Sequence, residues 1–342
     1  MKRLSFINKI IYFINILFAL VLLLSFILPF LPPKAFSFLS VLNLGVSLLI
    51  IVNIIFALYW GIRLKRQFFL SFAILFLGYI WFGSLYKFAS AKRVESPNNI
   101  KVMNYNVRLF NLYNWIKEDN VEEKIEGFLR TESPDILSVQ EYHPHKNIDL
   151  SFFEYKFEKL SGKKTKYGQA IFSRFPIINS GSIEFPDTGN NAIYADVVRA
   201  NDTFRIYNIH LESLRIRADV KHLKNEDSER LIKRVGNTFK MQQFQAELFL
   251  MHKDQCKYKT VVCGDFNNTA FSYVYRKIKG EDLQDAYAIA GSGFGRTHEF
   301  EFFPMRIDFV LADKDFNVNG FKSYNTHYSD HFPIMATVAP KE

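Results

Sequence analysis

The sequence predicts an N-terminal α-helical membrane segment of three helices, followed by an α/β sandwich of two packed β-sheets flanked by helices. Three observations carry this prediction. Residues 1–99 contain three long uncharged runs. The remainder alternates short β-branched or aromatic runs with polar loops, and only two of its segments have helical spacing.

The uncharged runs are Ile10 to Leu31, Ala35 to Ile62 and Gln67 to Tyr86. Each reaches the roughly 20 residues that a bilayer-spanning helix needs, giving spans at about 10–31, 38–61 and 67–86 within a membrane domain of residues 1–89. A signal peptide followed by core helices is the competing reading. Against it, the first run outlasts the ~7–15 apolar residues of a signal sequence, and no small-x-small cleavage site follows. Ser90 to Asn99 is small, polar and contains proline, which reads as a linker to a globular domain over 100–342.

Charge divides at the same place. Of 43 basic and 34 acidic residues, ten bases and one acid (Glu95) precede Ile100, so 33 of each sign remain. The net charge of +9 therefore belongs to the membrane segment and linker. The neutral globular part argues against tight, sequence-independent nucleic-acid binding. With the N-terminus inside, the cytoplasmic side holds Lys2, Arg3, Lys9, Arg63, Lys65 and Arg66, against Lys34, Lys87, Lys92 and Arg93 outside. This asymmetry predicts a multi-pass protein of the cell (inner) membrane with its C-terminal domain extracytoplasmic. Cys256 and Cys263 are too close to staple a loop of any size, and Cys263 lies in an apolar strand pattern, which favours a buried free thiol.

In the globular part, strands are expected at Lys101 to Asn106, Ile136 to Gln140, Gln169 to Ser173, Ala192 to Val198, Phe204 to His210, Thr260 to Cys263, Ile307 to Leu311 and Ile334 to Val338. Helices are expected at Glu118 to Thr131 and Glu229 to His252, with Gly236 weakening the second. Leu214 to Glu229 is a charged stretch that reads as a solvated helix start or loop, with a substrate-facing loop as the alternative.

Polar residues of one chemical kind recur where apolar strands meet loops: Asn106, Glu141, Asp265 and Asn267, Asp308, and Asp330-His331. Unpaired carboxylates beside buried strands are costly, so Glu141, Asp265 and Asp308 together call for a shared cation. Hard oxygen donors suit Mg²⁺, with Mn²⁺ as a substitute, and such an ion suits a phosphate ester.

These motifs, in this order, make residues 100–338 resemble the endonuclease/exonuclease/phosphatase superfamily, which includes DNase I-like nucleases, abasic-site endonucleases, neutral sphingomyelinases and inositol polyphosphate 5-phosphatases. The resemblance rests on Asn106 after an aromatic residue, Glu141, His210 in Tyr207-Asn208-Ile209-His210, Gly264-Asp265-Phe266-Asn267, Arg306-Ile307-Asp308 and Ser329-Asp330-His331. It implies a DNase I-like four-layer sandwich and a Mg²⁺-dependent phosphoesterase. In that reading Glu141 holds the metal with Asn106 and Asp308. Asp265 orients or deprotonates the attacking water, which Asn267 positions. His210 and His331 donate to phosphate oxygens, and Asp330 fixes an imidazole. Arg108 stands where abasic-site endonucleases carry an acid, which makes it a candidate phosphate or headgroup ligand, with a surface-exposed arginine as the alternative. His210 stands where they carry Tyr, which moves the resemblance toward the DNase and sphingomyelinase branches. Thr297 stands where the family often places a substrate-side Thr. His143, His145, His298 and His327 read first as loop residues.

The expected substrate is a phosphodiester, a lipid headgroup or a nucleic acid, with the lipid favoured by a tether beside the bilayer. Phe152, Phe153, Tyr155, Phe157, Phe300, Phe302 and Phe303 read mostly as core, with lipid contact as the alternative. No segment calls for an obligate protein partner. The competing class is a membrane-tethered module that binds a phospho-ligand without turnover.

Overall fold

The computed structural model describes residues 4–82, 86–88, 91–163, 165–215, 227–300 and 303–341. Four expectations fall partly or wholly outside these residues: Phe302, positions 216–226 of the charged stretch, the end of the third apolar run and the start of the linker.

The globular part is a four-layer sandwich. One six-stranded sheet has the order β11-β12-β1-β2-β4-β3 and the other β5-β6-β7-β8-β10-β9. The strands are β1 Ile100–Asn106, β2 Ile136–Tyr142, β3 Tyr155–Ser161, β4 Tyr167–Ser173, β5 Ile177–Glu184, β6 Asn191–Arg199, β7 Asp202–His210, β8 Lys259–Asp265, β9 Leu283–Asp285, β10 Asp308–Asp313, β11 Phe316–Ser323 and β12 Ile334–Pro340. All eight expected strands are present. The described helices are α1 Phe6–Ser25, α2 Pro33–Val41, α3 Val46–Ile62, α4 Phe68–Phe82, α5 Val121–Glu132, α6 Ser228–Lys253, α7 Tyr273–Lys279 and α8 Ala286–Ala290.

The side-chain period of two builds both the core and the site. Ile100 and Val102 of β1, Ile136 of β2, Ile206 of β7, Val261 and Cys263 of β8, and Val310 of β10 all point between the sheets. The next residues of the same parity are Asn104 and Asn106, Gln140, Asn208 and His210, Asp265, and Asp308. The inter-sheet layer is thus apolar at one end and polar at the other. Opposite-parity residues face outward: Met103, Tyr105, Leu137 and Val139 meet Val121, Ile125 and Leu129 of α5. On the other face Tyr207, Ile209 and Val262 meet Phe249 of α6 and Val274 of α7. Phe153 joins the α5 cluster, with Phe152 packed against it, and Phe157 packs on the inter-sheet core. Cys263 is a buried free thiol, and burial pushes its pKa up.

Two N-terminal helical stretches, Phe6–Phe30 and Pro33–Ile62, are long and apolar enough to cross a membrane, and a third, Phe68–Ile80, is shorter. The second expected span is divided. A 3-10 turn at Leu42–Gly45 separates α3 from α2, which lies on the globular domain instead. The Lys34 backbone N–H donates to Gln243 at 2.8 Å, and the Lys34 ammonium pairs with Glu247. Gly236 eases this docking, since a Cβ there would stand 3.2 Å from the Ser37 carbonyl oxygen and α2 would have to give by a few tenths of an ångström. The residue that weakens α6 as a helix thus favours close approach of α2. Buried polar side chains tie α1, α3 and α4 together: Asn15 donates to Ser71 (2.7 Å), Trp60 to Asn15 (3.1 Å) and Ser71 to Asn53 (3.1 Å). In an apolar surrounding such bonds fix helix pairing.

Candidate active site

Strand register assembles the polar end of the sandwich. His210 pairs with Asp265 across β7 and β8, and Asp265 pairs with Asp308 across β8 and β10. These three side chains therefore stand in a row on one sheet. Gly264 lets β7 and β8 approach closely at this point. A Cβ on it would meet the Ile209 carbonyl oxygen at 2.1 Å, so the residue before Asp265 has to be glycine.

The facing sheet supplies Asn106 and Glu141. The Asn106 amide bridges two carboxylates, donating to Glu141 at 3.3 Å and to Asp265 at 3.1 Å. Glu141 sits where the β2–β4 register shifts, with φ of +48°. Asn267 has the same left-handed φ of +48°, and Arg108 (+43°) begins four consecutive residues with positive φ. Non-glycine residues seldom adopt this region, and the cost is sustained where the surroundings fix the side chain for a purpose. Three of the expected site residues carry it. The Asn267 N–H donates to Asp265 at 2.8 Å, and its side chain is anchored on the Leu211 carbonyl at 3.0 Å.

His331 enters from the loop before β12. Its Nδ1 is 2.9 Å from Asp308, and its Nε2 is 3.6 Å from Asp265. His210 Nε2 is 3.7 Å from the same Asp265 oxygen. Asp330, the sequence neighbour of His331, turns away and pairs with Arg108 at 3.1 Å. The carboxylate on the imidazole is thus Asp308, where the sequence reading puts Asp330. Arg108 also lies over Trp115, 4.6 Å from the ring centre. Thr297 is fully buried, and its hydroxyl accepts the N–H groups of Ile307 (2.9 Å) and Asp308 (3.0 Å). That geometry anchors the start of β10 and gives Thr297 no exposed atom to offer a substrate.

Electrostatics follow from this crowding. Burial raises the pKa of Glu141, and burial with the neighbouring Asp308 raises that of Asp265. Burial opposes charge on His331, but Asp308 and Asp265 outweigh it and hold the imidazole protonated well above its usual range. Burial pushes His210 the other way and keeps it neutral. Ligand atoms of Asp265, Asp308 and His331 lie within 4.8 Å of one another, and Asn106 links this group to Glu141. Three carboxylates converging in a buried place, two of them with raised pKa, form a donor set that fits a hard divalent cation.

Several contributors are illegible as site residues in the sequence. A buried amide chain runs beneath the site: Gln140 donates to Asn104 (2.8 Å) and Asn208 (2.6 Å), and Asn104 to Asp308 at 3.5 Å. Polar residues at inward strand positions were its only signal. His298 stacks edge-on against His331, with ring centres 4.8 Å apart, and its buried Nδ1 has no hydrogen-bond partner among the described residues. Arg306, from the Arg-Ile-Asp motif, is buried on Asp285 at 2.7 Å and supports β10 from behind. His143 and His145 lie in the loop after β2, as expected.

The sequence profile of the Endonuclease/Exonuclease/phosphatase family matches residues 103–331. Residues 8–85 match a profile described as a domain of unknown function, DUF8431. No curated protein matches the chain. Among solved structures, the chain is similar to the human Nocturnin catalytic domain with bound sulfate anion, at 18% identity and a TM-score of 0.53, covering 71% of this chain and 94% of that one. It is also similar to an endonuclease/exonuclease/phosphatase family protein from Bacteroides thetaiotaomicron, at 16% identity and a TM-score of 0.51, covering 72% and 100%. A third is D. rerio TDP2 complexed with single strand DNA product, at 14% identity and a TM-score of 0.52, covering 70% and 98%. At these identities the likeness is one of fold.

Proposed function

Because the chain belongs to the Endonuclease/Exonuclease/phosphatase family, and so is a metal-dependent hydrolase of phosphoesters, we propose that it is a membrane-anchored, Mg²⁺-dependent phosphodiesterase. The observation that carries this reading is the row His210, Asp265, Asp308 facing Asn106 and Glu141, with His331 closing it.

Glu141, with Asn106 and Asp308, would hold the cation, which when bound supplies Lewis-acid stabilisation of charge on the phosphate and leaving oxygens. Asp265 takes the proton from the attacking water. Its raised pKa suits it to accept a proton near neutrality. Asn267, its backbone tied to Asp265 and its amide to Leu211, holds the water's position. His331, kept cationic by Asp308, donates to a non-bridging phosphate oxygen as charge develops there. Neutral His210 donates to a second oxygen. Arg108, paired to part-exposed Asp330, is available to a phosphate or headgroup at the rim. Thr297 acts through Asp308 by fixing its backbone.

Three membrane spans (α1, α3, α4) with the Arg63-Leu64-Lys65-Arg66 turn cytoplasmic would place the catalytic domain outside the cytoplasm. There it meets envelope lipid and extracellular nucleic acid and avoids the chromosome. A nuclease reading has one observation in its favour, the likeness to a protein solved with single strand DNA product. The neutral globular domain weighs toward lipid. Hydrolysis of bis-p-nitrophenyl phosphate by the intact chain with Mg²⁺ or Mn²⁺ tests the phosphodiesterase reading. Parallel assays on plasmid DNA, RNA and lipid diesters divide the substrates.

A further inference from the structure

An apolar groove of about 830 Å³ opens between the N-terminal helices and the globular domain. Its walls include Phe26 at the end of α1, Ile54 at the middle of α3, Phe72 and Tyr79 of α4, and Phe271 and Phe294 of the globular domain. The groove opens at the domain-proximal ends of α1 and α4, beside Phe26 and Tyr79, and runs along the helices to mid-α3 at Ile54 and to Phe72 of α4. In a three-span arrangement its mouth lies in the domain-proximal leaflet and its floor reaches the bilayer centre.

The two globular residues come from the loops that carry the site. Phe271 lies in the loop leaving β8, six residues after Asp265. Phe294 lies in the loop leading to β10, three residues before Thr297. Both loops leave their strands at the active-site end of the second sheet. The segment just after α4 is stitched to the second loop: the Lys87 N–H donates to the Gly293 carbonyl (2.8 Å), and the Gly293 N–H donates to the Lys87 carbonyl (3.0 Å). A chain of edge-on rings, Tyr79–Phe88–Tyr86–Phe294, continues the contact from α4 to that loop. On the other side α2 clamps α6, whose Gln242 donates to the Asn267 carbonyl at 3.2 Å. The membrane segment therefore grips the active-site end of the sandwich.

We propose that this groove is an acyl-chain site, and that its occupant is a bilayer lipid whose phosphodiester headgroup reaches the catalytic residues; the substrate assignment rests on the phosphodiesterase reading. Helices of spanning length and apolarity are surrounded by lipid tails, and a groove open along them fills with the same material. A tail lying in the groove of the domain-proximal leaflet puts its headgroup at the height of Phe271 and Phe294. A lining that is apolar apart from the hydroxyls of Tyr79 and Tyr86 suits an acyl chain.

The test uses the full chain in nanodiscs of palmitoyl-oleoyl phosphatidylethanolamine and phosphatidylglycerol, doped with a phosphatidylcholine bearing a diazirine on one acyl chain. Photolysis is expected to label α3 around Ile54 together with the peptides carrying Phe271 or Phe294. Labelling confined to helix peptides without either loop would overturn the proposal. As a second measurement, Ile54→Trp narrows the groove at its middle. It should lower turnover of a long-chain phospholipid diester, relative to the same sample's turnover of bis-p-nitrophenyl phosphate, by about tenfold or more, as expected when an apolar pocket is blocked. An unchanged ratio would overturn the substrate assignment. Failure of wild type to cleave bis-p-nitrophenyl phosphate would instead remove the phosphodiesterase reading, leaving the labelling to decide the groove.

Discussion

The Asp308 carboxylate stands 2.9 Å from Nδ1 of His331, although 23 residues separate them in the chain. Asp330, adjacent to His331, has its own partner in Arg108. Asp308 therefore orients and charges the imidazole, and Asp330 serves the rim. Asp308→Asn should lower turnover on the order of a hundredfold or more, as loss of an imidazole-orienting carboxylate does. It should also bring the His331 titration, followed by NMR, down toward the ordinary histidine value. Asp330→Asn should leave that titration nearly in place. If the two variants moved it equally, this division of labour would be wrong.

Gly264 is a second point of leverage. Its missing Cβ leaves room for the Ile209 carbonyl and amide, which would otherwise lie 2.1 and 2.8 Å away. Gly264→Ala should cost about 2–3 kcal/mol by overpacking, and it should depress activity further by shifting Asp265 against His210. Chemical denaturation with a parallel activity assay checks both. A variant of wild-type stability would show that the strands can part without strain.

Legibility in the sequence followed the regularity of the pattern. The eight expected strands are those whose apolar residues alternate or run unbroken into the core. β5 and β11 escaped because a register shift interrupts each, between Ile177 and Asn179 and between Val318 and Gly320. A one-residue shift exchanges the faces and erases the alternation. β3 is an edge strand of half-exposed residues without a clear alternation. The motif residues Asn106, Glu141, His210, Asp265, Asn267, Asp308 and His331 were visible because each ends an apolar strand or borders one. Their pairings were not. Which carboxylate meets His331 depends on how β10 lies beside the final loop, a relation between distant segments. His298 gave no signal because a loop histidine has no periodic context. Likewise the second apolar run divides at Leu42–Gly45, where Asn43 and Gly45 separate a less apolar α2 from a more apolar α3, a contrast that the absence of charge conceals.

Metal binding should depend on pH with a definite sign. Without metal, Glu141 and Asp265 hold their protons to higher pH than ordinary carboxyls. A cation must displace those protons, so affinity falls as pH falls and binding releases protons. Between about pH 7.5 and pH 5.5 the apparent Mg²⁺ affinity should weaken by roughly tenfold or more, since carboxylate ligands bind metal only when deprotonated. Calorimetry in buffers of differing ionisation enthalpy reads the protons released. Affinity independent of pH would contradict the assignment of Glu141 to the metal site and the placing of the Asp265 carboxyl beside it.

The orientation rests on the turn between α3 and α4, which carries Arg63, Lys65 and Arg66. Translocating three cations is disfavoured, so alkaline phosphatase fused after Val94 should be active and a fluorescent cytoplasmic reporter fused there dark. The reverse pair of results would reverse the topology and withdraw the case for an envelope substrate.

The most direct test of the central claim is hydrolysis of bis-p-nitrophenyl phosphate by the intact chain in detergent or nanodiscs with Mg²⁺ or Mn²⁺, beside Asp265→Ala and His331→Ala. Metal-dependent release of nitrophenol is expected in wild type, lost with chelator and reduced by on the order of a thousandfold in either variant, each of which removes a group acting on the reacting phosphate. Equal rates in wild type and both variants, or hydrolysis indifferent to metal, would contradict it.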